Sequence, residues 1–298
     1  MQTLHHNHCP VCKATNLEID QQVKDYSISG EMFEIAVCQN CGFRLTQDHP
    51  DESSIGPYYE SEEYISHSDT SRGIINSLYH WVRNIMLNRK YKLIKRFSRG
   101  KELLDIGCGT GYFLHHMKSN HYHVKGVEKD EAARNFAIQQ FQLNVKSPGD
   151  FFQEKPNKQF DIITLWHVLE HLENLDEYME TIQRALKDDG LLVIALPNHT
   201  SLDAKKYKHY WAGYDVPRHL WHFHPATLDL LLQNFNLRLK TIKILPFDSY
   251  YNSLLSEKYR KTKLALLSGF FAGFISHLNS IFNKEKASSI IYLCEKAT

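Results

Sequence analysis

Three groups of residues in this 298-residue chain have the types and spacing to do chemistry. The first is Asp105-Ile106-Gly107-Cys108-Gly109-Thr110-Gly111, placed between the apolar pair Leu103-Leu104 and the run Tyr112-Phe113-Leu114. It reads as a buried strand, a glycine-rich turn and a helix start, the layout of a nucleoside site. Glycines let the backbone turn sharply and approach a ligand where a Cβ would collide. Glu128 closes the next apolar run, Val124-Lys125-Gly126-Val127. A carboxylate about 20 residues beyond such a turn suits a ribose, because it accepts from both hydroxyls. The spacing also selects the nucleoside. A dinucleotide fingerprint, G-x-G-x-x-G, needs glycine where this chain has Tyr112, and the pattern here is D-x-G-x-G-x-G.

The second group is Cys9-Pro-Val-Cys12 and Cys38-Gln-Asn-Cys41. Two C-x-x-C pairs supply four thiolates that can meet around one zinc ion, with no position left open, so the expected metal role is structural. The rival, a pair of disulfides, belongs to oxidising compartments. Gly42 suits the tight turn of a knuckle, and the intervening residues alternate as two ribbon strands would: Ile19, Val23, Tyr26 and Ile28, then Phe33, Ile35 and Val37. His5, His6 and His8 beside the first pair are read as an exposed polar tail.

The third group lies downstream, at Trp166-His167-Val-Leu-Glu170-His171 and at Tyr214-Asp-Val-Pro-Arg218-His219-Leu-Trp-His222. The first matches H-x-x-E-H, an inverted zinc-peptidase pattern, but it follows a buried strand, which argues against that reading. In the second, His219 or His222 can take a proton from an acceptor hydroxyl near neutral pH, and Arg218 can fork onto a carboxylate or phosphate. Tyr214 shares this loop and is expected to bind substrate with Arg218. Asn198, in the loop after Leu196-Pro197, is expected to face the substrate.

The D-x-G-x-G-x-G turn, the distant Glu128 and the "HVLEHL" run together resemble the class I S-adenosylmethionine-dependent methyltransferases. The resemblance covers the chain from about Tyr58 onward. It implies a Rossmann-like α/β fold with a seven-stranded sheet, parallel with one antiparallel strand. It implies that Asp105 helps hold the methionine amine, that Gly107, Cys108, Gly109 and Gly111 pass under the cofactor, and that Glu128 takes the ribose. By the same resemblance Asp150 accepts from the adenine amine, and Trp166 and His167 lie near the sulfonium, with His167 a further candidate catalytic residue. Ribbons of this kind occur on methyltransferases associated with sugar and polysaccharide biosynthesis, so the expected reaction is O-methylation of a small-molecule acceptor. The alternatives are an RNA methyltransferase and a non-catalytic binding protein on the cofactor fold. A nicotinamide oxidoreductase is disfavoured by Tyr112.

The elements that must position these groups follow from periodicity. Residues 1–46 read as a zinc ribbon, 47–100 as a linker and basic helical region, and 101–298 as the methyltransferase domain. Strands are expected at Glu102–Ile106, Val124–Glu128, Asn144–Lys146, Asp161–Trp166, Leu191–Leu196, Leu239–Leu245 and Ile290–Glu295, with helices between the first five. A helix is expected from about Gly73 to Phe97, after an aromatic and acidic run at 58–68. An apolar helical insert near 254–284 admits three readings: a buried cover helix, an oligomer contact, or an interfacial membrane contact through 258–282. A formal charge of +1, from 35 Lys and Arg against 34 Asp and Glu, gives no strong basic field for nucleic acid. The start of the chain lacks the apolar core of a signal peptide. The expected location is cytoplasmic, with a peripheral membrane association if the insert is an anchor.

Overall fold

The computed structural model describes residues 2–59 and 74–297, the side chains of 74–80 excepted. From residue 60 onward the aromatic and acidic run lies outside the described residues, as does the side chain of Leu78. In chain order the strands are β1 (Thr3–Leu4), β2 (Leu17–Lys24), β3 (Met32–Cys38), β4 (Arg44–Gln47) and β5 (His49–Pro50), followed by helix α1 (Ile74–Phe97). There follow β6 (Glu102–Ile106), α2 (Tyr112–Ser119), β7 (His123–Val127), α3 (Glu131–Phe141), β8 (Asn144–Lys146) and α4 (Pro148–Gln153). Next come β9 (Phe160–Trp166), α5 (Leu175–Ala185), β10 (Leu186–Pro197), α6 (Leu202–Tyr207), β11 (Trp221–His222) and α7 (Pro225–Asn234). The chain closes with β12 (Leu237–Ile244), α8 (Asp248–Tyr259), α9 (Ala265–Phe282) and β13 (Ser289–Lys296).

Seven strands form one sheet in the order β12-β13-β10-β9-β6-β7-β8. β6 pairs in parallel with β7 and β9, and β9 with β10. β13 runs antiparallel to both β10 and β12, so it alone is reversed in the sheet. The expected fold class is the observed one, with strand ends shifted by a residue or two. The largest shift is in β10. Leu186 already pairs with Phe160 and Leu191 pairs with Ile162, and the polar residues 187–190 between them form an excursion within the strand. Central strands read as unbroken apolar runs because both faces are covered. Leu104, Ile163 and Leu192 pack under one helical layer, while Leu103 and Ile162 meet Leu114, Met117 and Ile94 on the other. The chain order jumps between β6 and β9, and ligands of open α/β sheets bind at such a switch, outside the carboxyl ends.

The cysteine-bearing segment is built into this body. Its sheet has the order β11-β4-β3-β2, and β11 comes from the histidine loop far downstream. Trp221 pairs with Leu45 and His222 with Arg44. The stretch from Gln47, read as a linker, therefore begins inside β4, where Gln47 is buried. His5 and His6 are likewise held: His5 Nδ1 lies 2.7 Å from Asp48, and His6 Nε2 lies 2.9 Å from His49 Nε2.

The apolar insert is the helix pair α8–α9. α9 turns its small residues inward: Gly269, Ala272, Gly273, Ser276 and Ser280 are its buried positions. A Cβ on Gly269 would lie 2.7 Å from the Leu254 Cα, and one on Gly273 would lie 2.6 Å from the Tyr250 Cα, so the two helices touch nearly backbone to backbone.

Candidate active site

The glycine turn sits at the carboxyl end of β6. Gly107, Gly109 and Gly111 have φ of 70°, 53° and 81°, a region that favours glycine. What surrounds them differs. A Cβ on Gly107 would strike Val168 and one on Gly111 would strike Leu143 and Ala137, whereas nothing lies within 4 Å of where a Gly109 Cβ would stand. Gly109 thus faces an open cradle. Glu128, just past β7, spans the turn, accepting from the Gly109 amide at 2.7 Å and from the Asp130 amide at 2.9 Å. The same carboxylate is placed to exchange these bonds for a ribose. Cys108 contributes no side chain to the cradle. Its thiol is buried against Gly126, burial holds its pKa well above the ordinary thiol value, and its amide donates to the Val127 carbonyl.

Asp105 is 2% exposed and accepts from Thr164 Oγ1 at 2.5 Å. Burial pushes its carboxyl up to about 7, with the Lys90 ammonium and the Thr164 hydroxyl opposing. Lys90 reaches in from α1, its Nζ 4.2 Å above the Trp166 ring, and burial brings it down to about 8 against the pull of Asp105 and Asp248. The Trp166 indole Nε1 is buried without a hydrogen-bond partner among the described residues. The switch point therefore presents an acid, an amine and an orphaned donor around the glycine turn. Nothing in the spacing of α1 marks Lys90 among its neighbouring Lys and Arg; only packing selects it. Asp150 lies apart, at the start of α4. It accepts from Ser147 Oγ at 2.6 Å and lines an open groove of about 480 Å³ with Arg134 and Gln153.

His167 follows β9 with φ of 58°, strained for a non-glycine residue. Its two ring nitrogens face carboxylates, Nε2 at 3.2 Å from Asp248 and Nδ1 at 3.4 Å from Glu170. Against the cost of burial, hydrogen bonding to Asp248 and Glu170 raises its pKa to about 10. Those two carboxylates favour its protonated form at neutral pH, which argues against His167, expected as a catalytic residue, acting as a general base. Nor do His167 and His171 share a ligand sphere as the peptidase pattern requires. The group that does converge is Glu170, His171 and His219, with one ligand atom from each within 4.8 Å of the others. Glu170 is 1% exposed, and neither of its oxygens makes a well-aligned hydrogen bond among the described residues. His171 Nδ1 lies 2.9 Å from the Arg218 carbonyl and His219 Nδ1 lies 2.9 Å from the Gly213 carbonyl. Each imidazole donates there, which leaves its Nε2 lone pair to accept a proton or a divalent cation.

The remaining loop residues are structural. His222 is 4% exposed, burial holds it well below the ordinary histidine value, and its Nε2 lies 3.0 Å from Thr46 Oγ1, which donates to the His219 carbonyl at 2.7 Å. Arg218 is buried too; it donates to Asp25 at 3.0 Å, to Asp215 at 2.7 Å and to the Tyr58 carbonyl at 2.8 Å. Tyr214 accepts from Arg44 at 3.0 Å, and Asn198, fully buried, donates to the Glu285 and Ala287 carbonyls. All three were expected to meet substrate, and all three have partners inside the protein. The sequence marked these polar residues but could not show that the cysteine-bearing segment would cover Arg218 and Tyr214, or that the chain before β13 would hold Asn198.

Cys9, Cys12, Cys38 and Cys41 bring their sulfurs within 4.8 Å of one another, and none is in a disulfide. Closest are Cys9 to Cys41 at 3.6 Å and Cys12 to Cys38 at 3.5 Å. Tetrahedral zinc with bonds of about 2.3 Å would set sulfurs about 3.8 Å apart, so the donor set fits such an ion. Both knuckles turn through a residue of positive φ, Lys13 at 61° and Gly42 at 75°.

A family model described as a methyltransferase domain matches residues 79–242. That span is more than half of the chain, and the protein belongs to this family of S-adenosylmethionine-dependent methyltransferases. A ubiquinone biosynthesis O-methyltransferase of Rickettsia bellii is 24% identical over 202 residues, 63% of this chain and 84% of that protein. Its counterpart in Glaesserella parasuis is 33% identical over 112 residues, 34% of this chain and 48% of the relative. Among solved structures, the magnesium protoporphyrin IX methyltransferase of Synechocystis PCC 6803 shares the fold with a TM-score of 0.54 at 12% identity, covering 83% of this chain and all of that one.

Proposed function

We propose that this methyltransferase methylates an oxygen of a small-molecule acceptor, with His219 as the base and His171 beside it. The observation that carries the reading is the pair of imidazoles, each tied through Nδ1 to a backbone carbonyl and each bringing one ring nitrogen within 4.8 Å of the buried Glu170 carboxylate. Similarity to O-methyltransferases of ubiquinone biosynthesis supports oxygen as the methylated atom. S-adenosylmethionine, when bound, supplies a methyl group on a sulfonium. In this reading the Gly109 cradle admits the nucleoside, Glu128 takes the ribose, and Asp105 and Lys90 offer opposite charges to the amino and carboxylate groups of the methionine end. His219 Nε2 takes the hydroxyl proton as the acceptor oxygen bonds to the methyl carbon, and the electron pair of the broken carbon–sulfur bond stays on sulfur. His167, already cationic, fixes Glu170 and Asp248 and takes no proton. Positioning of the two reactants supplies much of the rate.

The zinc of this proposal is structural. Four thiolates leave no open position, and the ion would tie both knuckles to the sheet that β11 completes. The test is a panel of phenols, catechols and sugar hydroxyls scored by release of S-adenosylhomocysteine, run beside His219→Ala. Turnover of a hydroxyl acceptor that collapses in the variant supports the reading. Turnover of amines alone, or wild-type rates in the variant, would refute it.

A further inference from the structure

α9 has its amphipathicity inverted. Its small residues are buried against α8, and its large ones point away from the protein: Leu266 is 78% exposed, Leu267 58%, Phe270 53%, Phe271 60%, Ile275 57% and Phe282 89%. These positions recur at steps of three and four, so they form one continuous apolar face. In water the hydrophobic effect favours the opposite arrangement. Scattered surface leucines need no explanation, but a stripe of this size along a whole helix does. The inward face is fitted to its place and not merely left over. Gly269 and Gly273 let α9 close onto α8, Ser276 donates to the buried Asp203 at 2.7 Å, and Ser268 donates to Glu257 at 2.7 Å.

Charge says what covers the outer face. From Ala265 to Phe282 the helix carries no Asp, Glu, Lys or Arg. At its two ends, Arg260, Lys261 and Lys263 precede it and Lys284 and Lys286 follow it, against the single acid Glu285. An apolar stripe bracketed by cations is the complement of a bilayer surface with anionic headgroups. We propose that α9 is an in-plane membrane-binding helix that docks this enzyme on anionic lipid. By length and composition it could cross a membrane, with a mean hydropathy of 1.4 over 18 residues. Its polar bonds to Asp203 and Glu257 would be stranded by a crossing, whereas lying in the interface keeps them. The docked helix is one layer from the chemistry, because α8, onto which it packs, begins with the Asp248 that holds His167.

The inference stands apart from the choice of acceptor. Flotation of the full-length protein with vesicles tests it, comparing phosphatidylcholine alone with a mixture containing phosphatidylglycerol. The expected result is binding to the anionic vesicles that weakens at least tenfold in Leu267→Glu/Phe271→Glu and falls several-fold with added salt. Both substituted side chains are exposed, so an unchanged melting temperature would show that the fold persists. A Phe274→Trp variant should show a blue-shifted emission with vesicles and none without. If the protein ignores anionic vesicles at low salt the proposal fails. In that case a dimer in light scattering that Leu267→Glu/Phe271→Glu dissociates would assign the face to a second copy of the chain.

Discussion

The glycine turn and the histidine loop, proposed above as the cofactor side and the acceptor side of the site, are built by opposite means. The cofactor side is local. One strand, one turn and the acid that ends the next strand hold Gly107, Gly109, Gly111 and Glu128 within about 20 residues of chain. The acceptor side is assembled from afar. Thr46 of β4 holds the His219 carbonyl, Asp25 holds Arg218, and β11 completes a sheet begun by β2. The difference separates two failure modes: damage to the cysteine-bearing segment should disable the acceptor loop and leave nucleoside binding intact.

The largest effect expected is on the acceptor side. His219→Ala should lower kcat by about 10²–10⁴, the usual range for losing a general base, with affinity for S-adenosylhomocysteine in calorimetry unchanged. A matched loss of cofactor affinity would dissolve the distinction between the two sides.

Arg218→Ala tests the bracing itself. Its guanidinium is 2% exposed against an Asp25 carboxylate that is fully buried. Removing one partner of such a pair leaves an uncompensated buried charge, at a cost of about 3–5 kcal/mol. Denaturant melts should show that loss. The Asp25 carboxyl is held below its ordinary value, with Arg218 as the leading favourable partner against burial. Its contribution is therefore complete above the ordinary aspartate pKa and is lost as pH falls through the depressed value. Wild type and variant should converge in stability only in acid. With zinc held by the four cysteines, as proposed, chelation should act in the same direction, lowering turnover before it lowers nucleoside binding.

On the cofactor side, Glu128→Ala should weaken S-adenosylhomocysteine by about 1.5–3 kcal/mol, the worth of a charged hydrogen-bond partner. Stability should change little, because the carboxylate spans amides of an exposed turn. A stability loss with unchanged affinity would make Glu128 a brace for Gly109 and not a ribose ligand.

The same contrast explains what the sequence revealed. The Gly109 turn and the carboxylate that spans it could be read because a positive-φ turn and an acid at the end of the next strand demand particular residue types at fixed spacing. The four cysteines could be read for the same reason. Arg218, Tyr214, Asn198 and His222 were marked as polar and functional in type, yet their partners are set by tertiary contacts that no local pattern encodes. His171 and Glu170 drew notice only through the peptidase pattern, and Lys90 was hidden in a basic stripe. α9 read as apolar, but which of its faces would be buried turned on Gly269 and Gly273, whose small size decides how closely α8 can approach.

The smallest effect concerns His167, where the two sides meet. Its pKa of about 10 lies above its ordinary value, so the ion pairs with Asp248 and Glu170 stabilise the fold fully below about pH 6.5. That contribution is lost as pH rises toward 10. The ring is 38% exposed, so solvent screens the pairs and the gain is modest. The melting temperature of wild type should exceed that of His167→Gln near pH 6 and the gap should narrow by pH 10. A general base would behave otherwise: the variant would lose turnover at neutral pH, and the gap would carry no such alkaline dependence. A gap that widens with pH would mean that His167 is neutral in the folded protein and would restore it as a candidate base.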